Sequence, residues 1–201
     1  MVHEVNDVEL LYQQSKNLYD VIVREQADNI INKLKNAKEI LQENWKGIDA
    51  GIQINDIVNV HNKLVEIRNT LANLAKDSSI VASNYREIQK IANVGLESLA
   101  SIQINDLSTL PEYVDNRDTI DIETDVLKGK QELDVAISNY DNFKNNVIKR
   151  YNEIMDNWQA GTGRDNANIA FHDFIDSAKE YKDTLVNVST SIANAIKNYQ
   201  I

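Results

Sequence analysis

The sequence predicts an all-α protein, a four-helix bundle made of two long helical hairpins, and three observations lead to that prediction. The chain of 201 residues contains only six glycines and one proline, so residues that favour turns are rare and the elements should be long. Four stretches carry apolar residues at steps of three and four, as amphipathic helices do. The two tryptophans, Trp45 and Trp158, each lie between two of these stretches.

The first hairpin is predicted from the two apolar stripes on either side of Trp45. One stripe covers residues 8–41 without a glycine or proline, and the other covers residues 57–102. The second stripe repeats about every 3.5 residues, which favours helix-on-helix packing. The segment "KGIDAGIQIND" between the stripes has two glycines and two aspartates, which mark a turn. Asn55 or Asp56 is expected to cap the helix that follows.

The second hairpin is predicted in the same way around Trp158. Its stripes cover residues 126–158 and 171–199, separated by the turn "QAGTGR", and Asp165 is expected to cap the last helix. Residues 107–124 hold the only proline and no helical stripe, so they are predicted to be a linker. The predicted organisation is a first hairpin at 1–106, a linker at 107–124 and a second hairpin at 125–201.

The linker also predicts how the hairpins pair. One hairpin buries a single stripe per helix, whereas two hairpins packed together bury all four stripes. An extended linker of this length reaches roughly 60 Å at about 3.3 Å per residue. The third helix, at about 1.5 Å per residue, is roughly 54 Å long. The second hairpin is therefore expected to start at the Trp45 end, which gives antiparallel hairpins within a monomer. The alternative is that the second helix runs further and the linker only folds back.

Composition excludes several classes of partner. The net charge is −10 and the pI about 4.8, so nucleic acid and anionic lipid surfaces are poor partners for this chain. There is no cysteine, hence no disulfide frame and no thiol chemistry. The stretch "MVHEVNDVELLYQQSK" has no apolar core, so a general secretory signal peptide is not expected. No apolar run approaches about 18 residues, so membrane insertion is not expected either.

Catalytic and metal-binding patterns are also missing from the sequence. No histidine occurs in a Glu-x-x-His or His-Glu-x-x-His pattern, and no phosphate loop or nucleophile motif is present. His61 and His172 are expected to be boundary residues beside the helical stripes, although the sequence does not define a role for either. We therefore expect no enzyme activity, no catalytic residue, no metal and no cofactor.

The residues singled out as the motif of both turns are Trp45, Gly47, Trp158 and Gly161. Glycine allows the positive φ that a sharp reversal needs, and tryptophan can fill the open end of a helix pair while its indole N–H reaches a carbonyl. Packing within the turn is the commonest use of these residue types. The alternative is a tryptophan exposed to bind a partner.

Two helical units, acidic, without cysteine and with Trp-x-Gly at the turn, resemble the WXG100 family. Proteins of that family are small helical hairpins that are exported by type VII (ESX-type) secretion systems or escort substrates through them, and they pair into four-helix bundles. "Trp45-Lys46-Gly47" matches the motif, and "Trp158-Gln159-Ala160-Gly161" departs from it by one inserted residue. The chain resembles two such units fused in tandem, outside the linker.

The resemblance implies a non-enzymatic binding and export module whose partners are proteins: a secretion ATPase, a cargo or another WXG-like protein. The protein would be secreted by this non-Sec route and cytoplasmic before export. Many family pairs carry Tyr-x-x-x-Asp/Glu after the second helix, and no tyrosine here satisfies that pattern, so export would depend on a partner's signal. Two other interpretations remain open: an N-terminal targeting domain of a polymorphic toxin, and a helical pore-forming or structural bundle.

Overall fold

The computed structural model describes residues 5–199, which excludes the first four residues of the N-terminal stretch discussed above. Most of the described residues are helical, in agreement with the predicted all-α class. The elements in chain order are α1 (Val8–Asn17), a π-helix (Leu18–Ala27), α2 (Asp28–Asn44), β1 (Trp45–Lys46), α3 (Ile48–Ala92), β2 (Asp121–Ile122), α4 (Val126–Asn157) and α5 (Thr162–Tyr199).

The π-helix interrupts what the sequence predicts as one regular helix before Trp45. The buried positions in this segment are Leu18, Ile22, Val23 and Ala27, so they advance by four or five residues per turn. An α-helix has 3.6 residues per turn and would rotate such positions away from the core. The wider turns of a π-helix, with i→i+5 hydrogen bonds, keep them buried on one side.

α3 differs from the predicted second helix at both ends. It begins at Ile48, so Asn55 and Asp56 lie inside the helix and the prediction that either caps it is wrong. It ends at Ala92, although the apolar stripe continues to Ile102. Residues 93–120, which we name the connecting segment, contain no helix or strand.

Contacts divide the described residues into two compact units, each of which takes parts of both predicted hairpins. The Trp158 unit comprises the described residues of Met1–Gln26, Ile67–Leu107 and Phe143–Ile175. The Trp45 unit comprises the described residues of Ala27–Glu66, Ser108–Asn142 and Asp176–Ile201.

The core of the Trp158 unit is rich in aromatic side chains. Tyr151 stacks on Phe171 with ring centroids 3.7 Å apart, and Phe143 meets Phe174 edge to face at 5.9 Å. An edge-to-face pair such as Phe143–Phe174 stabilises a core by about 0.5–1.5 kcal/mol beyond its burial. The other large buried side chains of this unit are mainly aliphatic: Leu11, Leu18, Ile22, Val23, Leu71, Leu74, Val147 and Ile154.

The connecting segment lies along α3 in the Trp158 unit, held by polar side chains of that helix. The Ser83 hydroxyl donates to the Leu99 carbonyl at 2.7 Å, and Ser79 Oγ accepts the Ile102 N–H at 3.0 Å. The Asn69 amide bonds both backbone groups of Leu107, at 2.9 and 3.0 Å. These bonds satisfy backbone groups that a helix would otherwise pair internally.

The Trp45 unit has a mainly aliphatic core and contains the only two strands among the described residues. β1 and β2 pair antiparallel, with Trp45 opposite Ile122 and Lys46 opposite Asp121. The connecting segment meets α3 here too, because the Asn62 amide bonds both backbone groups of Leu110, at 2.7 and 2.9 Å. The large aliphatic side chains buried in this unit include Ile30, Ile31, Leu34, Leu41, Ile54, Ile57, Leu64, Leu133, Leu185, Val188 and Ile192.

Candidate functional site: the two tryptophan turns

The first turn joins α2 to α3 through Trp45, Lys46 and Gly47. Trp45 has extended backbone angles, and Gly47 has a φ of 112°. A side chain is strained at such a φ, and a Cβ on Gly47 would also come within 2.9 Å of the Thr119 carbonyl oxygen. The turn therefore requires glycine at position 47 for two separate reasons.

The carboxylate of Asp115, in the connecting segment, closes the first turn. It is almost fully buried and accepts the Gly47 N–H at 3.1 Å. Arg117 Nε and Nη2 donate to the two Asp115 oxygens at 2.9 and 2.8 Å. The hydrogen bonds from Arg117 and Gly47 hold the pKa of Asp115 well below its usual range. Gly51 allows this approach, since its Cβ position lies 3.1 Å from the Asp115 nitrogen.

The second turn joins α4 to α5 through Trp158, Gln159, Ala160 and Gly161. Gly161 has a φ of 151°, so both turns end in a glycine with positive φ. The Arg164 Nε, in the first turn of α5, donates to the carbonyl of Trp158, the residue directly after α4, at 2.8 Å. Gly163, which the sequence places in the turn, lies in the first turn of α5.

Both turns are anchored by the same backbone contacts. Each tryptophan pairs antiparallel with a residue just before a helix: Trp45 with Ile122, and Trp158 with Val5. The asparagine before each tryptophan accepts an N–H from the next residue of that partner segment. These bonds join Glu123 to Asn44 at 2.8 Å and Asn6 to Asn157 at 3.1 Å.

Both helices that leave the turns start directly after the glycine. The Gly47 carbonyl accepts the Gly51 N–H at 3.0 Å, and the Gly161 carbonyl accepts the Asp165 N–H at 3.1 Å. Each glycine is thus the residue that precedes its helix, and Asp165 is already in the first turn of α5. The prediction that Asp165 caps that helix is wrong, because the positive-φ glycine begins the helix earlier.

Both indoles are buried, with Trp45 4% exposed and Trp158 1% exposed. This places the four predicted motif residues, Trp45, Gly47, Trp158 and Gly161, at the turns in packing positions. A cleft of about 350 Å³ opens beside Trp45 within its unit, and its lining includes Ile52, Ile120 and Tyr199. A partner that binds in this cleft would meet these neighbours together with the small exposed part of Trp45.

His61 and His172 lie outside both turns. His61 is 2% exposed, which corrects the expectation that it sits at the edge of the stripe. Its Nδ1 donates to Asn62 Oδ1 at 2.9 Å, and burial lowers its pKa. His172 is exposed. Within residues 5–199 no group of three or more His, Cys, Asp or Glu side chains is placed to hold a metal ion.

Sequence reasoning did not identify Asp115, Asn62 or Asn69 as structural contacts. Asn62 and Asn69 are seven residues apart, two helical turns, and each pairs with backbone of the connecting segment. That spacing on a helix was a visible signal, whereas nothing in the local sequence marks Asp115 as the partner of Gly47.

No helix of the described part of the chain has the length and apolar character needed to cross a bilayer.

Neither a family model, nor a curated protein, nor a solved structure matches this chain. The geometry of the two turns is therefore the main basis for a functional proposal.

Proposed function

We propose that the protein is a non-enzymatic protein-binding module, similar to two WXG100 units in tandem, which is exported by a type VII secretion system or escorts a partner through one. The observation that carries this proposal is the repeated turn. Trp45 with Gly47 and Trp158 with Gly161 reverse the chain between long helices, each with a positive-φ glycine and the same asparagine carbonyl contact.

The proposed arrangement is a four-helix bundle with the two hairpins antiparallel. Its support comes from contacts within each unit. The Trp45 turn pairs with Ile122, four residues before α4, and the Trp158 turn pairs with Val5, three residues before α1. Each turn thus lies beside the start of the other predicted hairpin. A chain that contains both hairpins would need no second copy, so we expect a monomer at micromolar concentration.

The surface proposed to bind a protein partner surrounds the Trp45 turn. Ile48, Ile52 and Ile120 are each about half exposed, and Ile52 and Ile120 line the cleft beside Trp45. Ile48 and Ile52 are one helical turn apart on α3 and so share a face. Clustered exposed apolar side chains are typical of protein interaction sites.

The export test compares a bacterium that has a type VII system with a mutant of that strain lacking the secretion ATPase. The chain is expressed with the genes that flank its own, because it lacks Tyr-x-x-x-Asp/Glu and a partner is expected to supply the signal. We expect the protein in the medium of the parent strain only, with a cytosolic marker retained in both. Equal amounts in both media, or retention in both strains, would contradict the proposal.

Surface variants test the binding face separately. The double variant Ile48→Ser/Ile52→Ser is expected to lower export while changing the free energy of unfolding by less than about 0.5 kcal/mol per site, because both side chains are exposed. Ile169→Ser, on an exposed side chain of the other unit, is the matched control. Equal export of both variants would remove this face from the proposal.

A further inference from the structure

A second cavity, of about 440 Å³, opens beside Trp158 within its unit. Trp158, Tyr85, Ile80 and Val81 supply an aromatic and aliphatic part of its wall, and Asp77 is its only ionisable carboxylate. A smaller cavity of about 340 Å³ is also lined by Asp77 and Gly163. Among the described residues, Asp77 is therefore the one charged side chain in the lining of both cavities.

The Asp77 carboxylate has no partner among the described residues. Within residues 5–199 no donor lies within hydrogen-bond distance of it and no cation within ion-pair distance, although the side chain is half-buried on α3. Burial raises the pKa of Asp77 above its usual value, and Lys76 offsets this only in part. A half-buried carboxylate without a donor or a cation keeps part of its desolvation cost uncompensated.

Gly163 keeps the space in which this carboxylate lies. A Cβ at position 163 would collide with Asp77 Oδ2 and crowd Asp77 Cβ and Cγ at 3.2 Å. Gly163 is in the first turn of α5 and has no unusual backbone conformation that would itself require glycine. The glycine therefore leaves room for the Asp77 carboxylate, which lines both cavities.

We propose that the larger cavity, beside Trp158, binds a basic side chain, lysine or arginine, of a protein partner. The charged end would pair with the Asp77 carboxylate, and the apolar stem would pack along Ile80, Val81 and the Tyr85 ring. Long basic side chains bury their stems against apolar surface in this way, and aromatic rings attract the cation. The net charge of −10 also favours the approach of a basic partner.

Other ligand classes fit the cavity less well. A metal ion would need further ligands, and no group of three or more His, Cys, Asp or Glu side chains is placed for one in the described part of the chain. An anion would be repelled by Asp77. A neutral apolar ligand would displace water and leave the carboxylate unpaired, at a higher desolvation cost.

The test uses small probes on the full chain, so it does not require an identified partner. N-acetyl-lysine amide and N-acetyl-arginine amide are titrated into isotope-labelled protein, with N-acetyl-norleucine amide as the neutral analogue. We expect saturable shifts of backbone amide signals at Asp77 and Gly163 with both basic probes, and an affinity at least about tenfold weaker for norleucine. Equal shifts with all three probes would overturn the proposal.

Asp77→Asn keeps the shape of the side chain and removes its charge. We expect this variant to bind the basic probes at least about tenfold more weakly than the wild type and to unfold at the same temperature or higher, since no contact is lost. Asp173→Asn, an exposed aspartate of the same unit, is the matched control and should bind normally. Wild-type affinity in Asp77→Asn would reject the site.

This inference rests on the proposed protein-binding role in one respect only, which is that a protein partner supplies the basic side chain. Failure of the probes to bind would remove the cavity and leave the export experiment unaffected. Conversely, selective binding of the basic probes with no export would support the cavity and reject the type VII role.

Discussion

The turns at Trp45 and Trp158 share the same backbone contacts, but different parts of the chain supply the side chains that stabilise them. At the Trp45 turn, the acceptor for the Gly47 N–H is Asp115, 68 residues away in the connecting segment. At the Trp158 turn, the stabilising side chain is Arg164, six residues from the tryptophan, and it donates to the Trp158 carbonyl. The side chain that bonds the backbone of the first turn is thus distant in sequence, whereas the Arg164 side chain at the second turn is near, although both tryptophans also pair with segments far away in sequence.

The two turns also differ in length, because the second has one inserted residue. Trp-Lys-Gly leaves two residues between the end of α2 and Gly47, whereas Trp-Gln-Ala-Gly leaves three between the end of α4 and Gly161. The asparagines before the tryptophans differ as well. The Asn157 side chain bonds Asp7 and Gln14, while the Asn44 side chain bonds the Ile40 carbonyl of its own helix. The shared Trp and Gly residues therefore specify the chain reversal, whereas the side-chain contacts that stabilise it differ between the two turns.

Truncation of either tryptophan is expected to give the largest effect. Trp45→Ala and Trp158→Ala should each lower the free energy of unfolding by about 3–5 kcal/mol, because each removes a buried indole and leaves a cavity. Urea unfolding followed by circular dichroism measures both. If Trp45→Ala leaves stability unchanged while export falls, the indole serves a partner rather than the turn.

Alanine substitution of the two glycines should distinguish the turns more clearly than truncation of the tryptophans, because the two stability costs should differ. Gly47→Ala is expected to cost about 2–3 kcal/mol, because it combines backbone strain with a clash against the Thr119 carbonyl. Gly161→Ala should cost about 1 kcal/mol, because its φ of 151° is close to the extended range. Thermal or urea unfolding of both variants checks the order. Equal costs would show that the Thr119 contact does not constrain the first turn.

The helices and the two turns were predictable because they depend on local patterns. Steps of three and four in the apolar residues indicated the helices, and the scarcity of glycine drew attention to the segments after Trp45 and Trp158. The end of α3 was not predictable in that way. Leu96, Leu99 and Ile102 continue at a spacing of three, which fits a helix face and an extended polyproline-type chain equally well.

The missed contacts have a common physical cause. Asp115, Asn62 and Asn69 act on backbone groups far away in sequence, and no periodic pattern encodes the identity of a long-range partner. The predicted caps Asn55 and Asp165 failed because positive-φ glycines start both helices several residues earlier. A rule based on capping residue types does not include that alternative.

Substitution of Asn62, on α3, should have a moderate effect on stability, whereas substitution of Asn55 on the same helix should have almost none. Asn62→Ala is expected to cost about 1–2 kcal/mol, because it leaves both backbone groups of Leu110 without their amide partner. Asn55 is one heptad earlier, and its buried Oδ1 accepts no hydrogen bond among the described residues. Asn55→Ala should therefore be close to neutral in urea unfolding. A neutral Asn62→Ala would show that the connecting segment is held by its apolar residues alone.

Among the variants expected to lose stability, Asp115→Asn should have the smallest effect, and that effect should depend on pH. Asparagine keeps an oxygen that can accept the Gly47 N–H but loses the charge that pairs with Arg117. Because the folded state holds the pKa of Asp115 below its unfolded value of 3.8, the ionised group stabilises the fold above that value. This contribution is lost as the pH falls through the folded pKa.

The measurement is the urea midpoint of the wild type and of Asp115→Asn between about pH 7 and pH 2. The wild type should be more stable at neutral pH, and the difference should shrink as the pH falls below about 4. Asp118→Asn, an exposed aspartate of the same segment, is the control and should follow the wild type. A difference that stays constant with pH would mean that the charge of Asp115 does not hold the first turn. The contrast with the Trp158 turn, where Arg164 donates to the Trp158 carbonyl, would then rest on the Gly47 contacts alone.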